Sequence, residues 1–486
     1  MKLSKNIILN SDSYKYSQYN QYPKNTEYVY SYIESRGGQW DETVFFGLQA
    51  FIKEYLTTPI TKEDIDVAEA IITAHGEPFY REGWEYILEA HGGRLPVSIK
   101  AAAEGTLIPT KNVLATIVNT DPKCWWLTSF LETAILRAIW YPTTVATNSY
   151  ESKKIILQAL EKTGDPSLID FKLHDFGARG VSSMESAGLG AAAHLINFMG
   201  TDTITGLLYA REFYGAAMAG FSIPAMEHST VTSWGRDGEV DSYRNMLKTH
   251  GKAGSPIAFV SDSYDIYNAC KMWGTELKQD VLDSGAVVVI RPDSGEPSEV
   301  VTKCLYILEK YYGSVKNAKG FRVLNNVRVI QGDGIDHATI RSILFVMELA
   351  GFSADNVAFG QGGALLQQVN RDTMKFAMKC SAIGVKEREY IHAPVISGEK
   401  QVVSVVDKLV WRDVFKDPIT DHGKKSKKGR VTLWQSGGSF ESAVEQPRGW
   451  ADKSIGPWVE ALSEVYRDGA LVKEITFDEV RANARK

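Results

Sequence analysis

The second half of this chain repeats one unit, and that repetition limits the folds open to it. An apolar, β-branched run leads into a short loop rich in Gly and Asp, or carrying an isolated His, and a helical stretch follows. Five of these loops are His174-Asp175-Phe176-Gly177, Glu227-His228-Ser229-Thr230, Arg291-Pro292-Asp293-Ser294-Gly295, Gln331-Gly332-Asp333-Gly334 and Gly360-Gln361-Gly362-Gly363. Strand, polar loop and helix in repetition is how a (β/α) barrel builds an active site at one rim. The runs are Phe171–Leu173, Ser222–Ala225, Ile257–Val260, Ala286–Ile290, Val327–Ile330 and Val357–Phe359. Six such units in roughly 200 residues predict a parallel, closed sheet with right-handed crossovers.

The rest of the chain is less regular. Thr43–Leu56 and Thr61–His75 are expected as helices, Pro96–Glu104 and Val113–Val118 as strands, and Trp125–Ile139 as a buried helix. Ser182 and Glu185 have the spacing of a capping box opening a small-residue helix through Phe198. Beyond Lys379 the pattern breaks into strand-like runs at Gln401–Val406 and Lys408–Trp411, then a basic loop at 424–430. A length of 486 residues exceeds one typical domain. The expected organisation is α/β: an irregular (β/α) barrel-like catalytic domain over 150–380, and a second, mixed α+β domain made of 1–149 with 381–486.

Charge and cysteine usage narrow the function classes. A net charge of −5 gives no basis for general nucleic-acid binding. Cys124, Cys270, Cys304 and Cys380 are widely spaced and form no C-x-x-C pair, so neither disulfides nor a structural zinc site is expected, and a reducing compartment fits. The N-terminal residues contain no long apolar core, and no stretch approaches the ~20 apolar residues of a membrane span. A cytoplasmic protein without membrane contact is the expectation.

Each loop admits a plain and a chemical reading. Arg291 through Gly295 has the residues of an ordinary turn, or an Arg facing an anion or ring with an Asp for hydroxyls or Mg²⁺. Gly332-Asp333-Gly334 and Gly360 through Gly363 let backbone N–H groups approach a phosphate, in the late units where barrels often hold one. Neither matches G-x-G-x-x-G or G-x-x-x-x-G-K-[ST], which disfavours a dinucleotide fold or P-loop. Arg371, Lys379, Lys424, Lys425, Lys427, Lys428 and Arg430 form either a solvated basic surface or a polyphosphate seat. His228 is a structural His, an acid/base or a phosphoryl acceptor, with Asp262 at the next strand end to orient it. Phe176 with Arg179 offers a ring-stacking face and an edge contact, and Asp202 in Gly200-Thr201-Asp202-Thr203 is equally suited to a helix N-cap. On the residues alone, a sugar-phosphate lyase or isomerase on a barrel stays open beside a transferase.

Longer strings favour the transferase over the lyase or isomerase. Ser11-Asp12-Ser13-Tyr14-Lys15, Glu42 through Gln49, Asn119-Thr120-Asp121-Pro122, Thr144 through Ser149, HDFG with Arg179 through Ser183, Gly200 through Thr203, Glu227 through Thr230, Val260 through Cys270, Ile290 through Gly295, Val329 through Gly334 and Phe415-Lys416-Asp417-Pro418 run almost end to end. With Ser426-Lys427-Lys428-Gly429-Arg430 they make the chain resemble the nicotinamide phosphoribosyltransferase family of type II phosphoribosyltransferases. Nicotinate phosphoribosyltransferase, which shares the architecture, is the sister alternative.

The resemblance implies transfer of a 5-phosphoribosyl group from phosphoribosyl pyrophosphate to nicotinamide, giving nicotinamide mononucleotide and pyrophosphate for NAD biosynthesis. It implies Mg²⁺, ATP stimulation, and a homodimer with shared active sites. By motif, Phe176 and Tyr14 of the partner subunit would sandwich nicotinamide. Arg179 and Asp202 would contact the carboxamide, and Arg291 would line the site. Asp293, Gly332 and Asp333 would hold the ribose and metal region. Gly362, Gly363 and Arg371 would hold the 5′-phosphate, with Lys379, Lys416 and Lys424 near phosphates. His228 would be phosphorylated by ATP, with Asp262 as its partner and Glu227 nearby. The pyridine nitrogen is already a nucleophile, so the chemistry calls for positioning and charge stabilisation rather than a base. Ala178 and Ala364 depart from the family pattern, the loop at 37–41 is short, and the segment 383–411 is long.

Overall fold

The β-branched runs of 173–361 pair as parallel strands in the computed structural model of the chain, which describes residues 5–392, 402–447 and 456–486. Strands Gly200–Thr201, Leu173–Asp175, Val357–Gln361, Val327–Gln331, Val287–Arg291 and Pro256–Val260 lie side by side in that order. Segment 221–226 joins both edges. Thr201 N–H donates to Phe221 O (3.0 Å) and Phe221 N–H to Met199 O (2.7 Å) on one side; Met226 N–H donates to Ala258 O (3.1 Å) and Ala258 N–H to Pro224 O (2.9 Å) on the other. Seven staves therefore follow one another around a ring in chain order. The expected strand at Ser222–Ala225 is held by isolated bridges instead of a continuous ladder, because Pro224 has no N–H to give. The stave Gly200–Thr201 is too short to stand out as an apolar run.

Alternation along the staves fills two layers. Ala258, Val289 and Ile330 face the ring's interior, with Phe176, Ile223 and Ala358 packed on them. Val288, Ile290, Val329 and Phe359 face outward to Val301, Leu305, Ile340 and Ile343 of the surrounding helices. Apolar demand on both faces is why these runs are continuous. The helices begin at polar loop residues: Asp265 caps Ile266–Gly274, Glu296 caps Pro297–Tyr312, and Asp336 caps His337–Leu349. The helix expected from Ser182 through Phe198 is Met184–His194, and its cap is Ser183, whose hydroxyl accepts from Ser186 N–H at 3.1 Å. Below the ring, Lys172 is buried and donates to the carbonyls of Ala354 (3.1 Å), Asp355 (3.0 Å) and Val357 (2.9 Å).

The chain divides into two units, Val145–Val369 and Met1–Thr144 with Asn370–Lys486. In the second unit, strands Val402–Asp413, Phe376–His392, Thr26–Ser35, Val113–Asn119, Val97–Ala101, Ser463–Arg467 and Ala470–Leu471 form one antiparallel sheet in that order. The two runs expected at 401–411 belong to a single long strand; Gln401 lies outside the described residues. Two other expectations are corrected. Thr43–Leu56 is a strand at Glu42–Val44, a short helix Leu48–Phe51 and a π-turn Ile52–Leu56. The helix expected to end at Ile139 runs from Glu132 to Thr163 and contains Pro142. Pro142 withdraws an N–H from the carbonyl of Ala138. Gly47, at φ 104°, lies against both residues: a β-carbon there would sit 2.3 Å from Pro142 Cγ and 3.0 Å from Ala138 O. Among the described residues no helix is long and apolar enough to cross a membrane.

Candidate active site

The C-terminal ends of the staves gather the polar loops at one rim. Asp175 ends the first stave, fully buried. Its Oδ1 accepts from Gly177 N–H at 2.7 Å, its Oδ2 from the Thr201 hydroxyl at 3.3 Å, and its carbonyl from Asp202 N–H at 2.9 Å. Burial pushes the Asp175 carboxyl up to about 6, against the lowering effect of the Gly177 N–H and the Thr201 hydroxyl. Burial likewise holds His174 below its ordinary range. Asp175 thus ties the loop carrying Phe176 and Arg179 to the next strand end. There the Ser222 hydroxyl donates to Asp202 Oδ1 at 2.5 Å, leaving the exposed carboxylate with capacity to accept more.

The edge of Phe176 lies over the backbone of two neighbouring staves. A β-carbon on Gly332 would be 3.3 Å from Phe176 Cε2 and 3.7 Å from Asp293 Oδ1. Phe176 and Asp293 therefore flank the same glycine. The Arg291 Nε, Gln331 Oε1 and Gln361 Oε1 atoms are buried without a hydrogen-bond partner. Such atoms are costly unless a ligand or water satisfies them.

His228 and Asp262 meet across two strand ends, Nε2 to Oδ1 at 2.9 Å, with 45% and 6% of their side chains exposed. Asp262 Oδ2 accepts from Asp293 N–H (3.1 Å) and from the Ser294 hydroxyl (2.6 Å). Burial raises the Asp293 carboxyl, the Asp262 and Asp333 carboxylates raise it further, and Arg291 and His228 oppose them. Concentrated negative charge of this kind fits a divalent cation on Asp293 and Asp333. Glu227 is the N-terminal cap position of helix His228–Thr232, and its carboxylate accepts from the Ser229 hydroxyl. At the last stave, a β-carbon on Gly363 would meet nothing within 4 Å, and on Gly362 only Phe176 O at 3.6 Å, so space is open above this backbone.

The remaining predicted residues lie in the other unit. Arg371, Lys379 and Lys424 line one pocket of about 650 Å³ together with Arg36, Lys111 and Lys375, six cations against the two carboxylates Asp372 and Asp421. Sequence reasoning missed Arg36, Lys111 and Lys375: Arg36 and Lys111 come from distant parts of the chain with no local pattern to announce them, whereas Lys375 lies midway between Arg371 and Lys379. Arg36 is fixed by donating from Nη2 to Gly423 O at 2.7 Å. Lys416 is not among the lining residues; its N–H donates to the Ser426 hydroxyl at 2.8 Å. The rest of the basic loop is paired rather than simply solvated: Lys425 with Asp417 at 2.9 Å, Lys427 with Glu34, and Arg430 over Trp411. Tyr14 is 54% exposed on the short helix Ser13–Asn20, beside Lys15, which pairs with Glu132 at 2.5 Å.

The fold recurs in solved structures. The chain is similar in fold to nicotinate-nucleotide pyrophosphorylase from Pyrococcus furiosus (TM-score 0.61, 15% identity, covering 100% of this chain and 96% of that one). It is also similar in fold to human nicotinic acid phosphoribosyltransferase (TM-score 0.54, 14% identity, 98% and 92%). Residues 171–402 match the nicotinate phosphoribosyltransferase (NAPRTase) family. The architecture is that of a type II phosphoribosyltransferase.

The finer family follows from closer relatives. Residues 6–99 match the nicotinamide phosphoribosyltransferase N-terminal domain. A nicotinamide phosphoribosyltransferase of Xanthomonas campestris pv. campestris is 51% identical over 484 residues, covering 99% of this chain and 98% of that protein. One of Acinetobacter baylyi is 30% identical, covering 97% and 95%. The chain belongs to the nicotinamide phosphoribosyltransferase family, and it is a pentosyltransferase.

Proposed function

We propose that this enzyme transfers the 5-phosphoribosyl group of phosphoribosyl pyrophosphate to nicotinamide, releasing pyrophosphate, in NAD salvage. The observation that carries the substrate assignment is Asp202, an exposed carboxylate anchored through its own N–H to the residue before Phe176. Phe176 stacks the pyridine ring, Arg179 and Arg291 line its edge, and Asp202 accepts a carboxamide N–H. The same carboxylate repels nicotinate.

Bond formation needs no proton removal, because the pyridine nitrogen attacks C1′ with its own lone pair while the C1′–O bond to pyrophosphate breaks. The protein aligns the two reactants and stabilises the departing charge. The open backbone at Gly362 and Gly363 suits the 5′-phosphate, and in the other unit the pocket of Arg371, Lys379 and Lys424 draws phosphate oxygens, with Lys416 on the adjoining loop. Asp293 and Asp333 with the Gly332 backbone would hold Mg²⁺ and ribose; the cation, when bound, neutralises pyrophosphate oxygens. A homodimer, in which Tyr14 of the partner subunit covers the second face of the base, completes the pocket.

ATP acts through His228. With Nε2 donating to Asp262, Nδ1 keeps its lone pair and attacks the γ-phosphorus, forming N–P as the bond to ADP breaks. Glu227 stands beside this His in sequence. ATP is expected to label His228, and His228→Ala to lose the stimulation while keeping basal synthesis; a label on another residue would overturn this.

One assay tests the whole proposal. The protein is incubated with phosphoribosyl pyrophosphate, Mg²⁺ and each of nicotinamide, nicotinate and quinolinate, with and without ATP, and the mononucleotide is identified. A preference for nicotinate refutes the role of Asp202. Turnover of a sugar phosphate without pyrophosphate release refutes the transferase reaction.

A further inference from the structure

We propose that Gly360, assisted by Gly332, is a socket for the Phe176 ring, and so a positioning residue for the aromatic base; this rests on Phe176 being the stacking residue. A β-carbon on Gly360 would lie 1.9 Å from Phe176 Cε2, 2.2 Å from Cδ2 and 2.7 Å from Cζ. Real carbon contacts in proteins settle near 3.5–4 Å, so a methyl group and the ring cannot share this space. On Gly332 the same test gives 3.3 and 3.5 Å to Cε2 and Cδ2. One ring edge therefore rests on the backbones of two adjacent staves.

Backbone conformation does not explain the glycine. Gly360 is absent from the residues with positive φ and lies inside the strand Val357–Gln361, where alanine is conformationally acceptable. Glycine inside a strand loses more chain entropy on folding and offers no side chain to pack, and it often marks a site of close backbone approach. Here the approaching group is Phe176. Phe176 also packs on the apolar cluster of Ala258, Val289 and Ile330, as does Ala358, two residues before Gly360. The Cδ2–Cε2 edge is held by backbone that does not move with a rotamer. Gly332 also adjoins Asp293, so the socket sets the height of the base relative to the carboxylate assigned to the ribose.

The substitution Gly360→Ala must push the ring by more than about 1 Å, a displacement of the size that costs on the order of a hundredfold when it misaligns reacting groups. The test is a double-mutant cycle with Phe176→Ala, reading KM separately for nicotinamide and for phosphoribosyl pyrophosphate. Gly360→Ala alone is expected to raise the nicotinamide KM about tenfold or more, with less than about a twofold change for phosphoribosyl pyrophosphate. Added to Phe176→Ala, it should change either KM less than about twofold, since the clash has been removed. Gly332→Ala should shift the nicotinamide KM in the same direction by less. An equal loss in both backgrounds, or an unchanged nicotinamide KM, overturns the proposal. If Gly360→Ala does not fold, the double variant must, because the methyl then has room; a double variant that also fails to fold overturns the socket. A crystal structure of Gly360→Ala separates this proposal from the functional one: a displaced Phe176 supports the socket whether or not the wild type uses nicotinamide, and an unmoved ring refutes it.

Discussion

Replacing Asp175 by Asn removes one buried charge and keeps its shape. The group is fully buried and its carboxyl is pushed up to about 6 from an ordinary 3.8. A rise of about two units corresponds to ~3 kcal/mol of differential interaction between the protonated and ionised forms. The sign is fixed by linkage: the folded-state value lies above the unfolded one, so between pH of about 4 and 6 the native state holds more protons. Wild-type stability therefore falls as pH rises through that window and is flat above it with respect to this group. Asp175→Asn cannot titrate, and its amide oxygen still accepts from Gly177 N–H. Any constant offset from the altered Thr201 contact is present at all pH values. The variant's stability relative to wild type should thus grow by up to ~3 kcal/mol from pH 4 to 7, or about 6–12 °C in Tm for a unit of this size. Thermal unfolding of both proteins across this range, followed by a signal from the barrel unit, measures the difference. Parallel Tm-against-pH curves would refute the argument that Asp175 is ionised at a cost.

Lys172→Met removes a buried donor shared by the carbonyls of Ala354, Asp355 and Val357 and should cost on the order of 2 kcal/mol, seen as a lower Tm. The Lys172 ammonium is pushed down by burial to about 8, below its unfolded value, so wild-type stability should rise with pH from about 8 to 10.5, and the variant should lack that rise. Asp202→Ser should lower the preference for nicotinamide over nicotinate at least about tenfold, since a like charge against the carboxylate costs several kcal/mol; an unchanged preference removes Asp202 from specificity. Arg371→Ala should raise the KM for phosphoribosyl pyrophosphate roughly ten- to hundredfold, the loss of one charge-assisted bond, and the penalty should shrink as salt rises. An unaffected KM would mean the basic pocket does not bind the substrate.

What the sequence makes legible is local. The staves are readable because both faces need apolar residues, and the loops because caps and tight turns need Asp, Ser, Pro and Gly. Gly200–Thr201 is invisible because two residues carry no period. Pro142 hides the continuation of the helix into Thr163, since a proline normally ends one; the space that lets it pass is provided by Gly47, far away in sequence. The choice of Ser183 over Ser182 as cap turns on a single residue of phase. Arg36 and Lys111 could not be placed beside Arg371 by spacing, because a pocket assembled from sheet neighbours has no sequence signature; Lys375, midway between Arg371 and Lys379, was within reach of it. Gly360 stands in a loop motif that suggests phosphate, yet its geometry is explained by an aromatic ring, a contact across strands that only coordinates reveal.

On the proposed mechanism, the His228 network bears on how ATP and a metal ion would act together. Asp262 already accepts three hydrogen bonds: Oδ1 from His228, Oδ2 from Asp293 N–H and the Ser294 hydroxyl. It is therefore suited to orient an imidazole and poorly placed to ligate a cation, which leaves Asp293 and Asp333 for that task. The Asp293 carboxyl is already raised by burial and by two carboxylate neighbours, with the His228 ring among the groups that oppose them. Phosphorylation of His228 would replace that relief with added negative charge. The same rim would then bind a divalent cation more tightly and pay more to do without one. On the proposed mechanism, ATP stimulation and Mg²⁺ affinity are thus two readouts of one electrostatic cluster, and the charge that activates the enzyme acts by concentrating cation where pyrophosphate must leave.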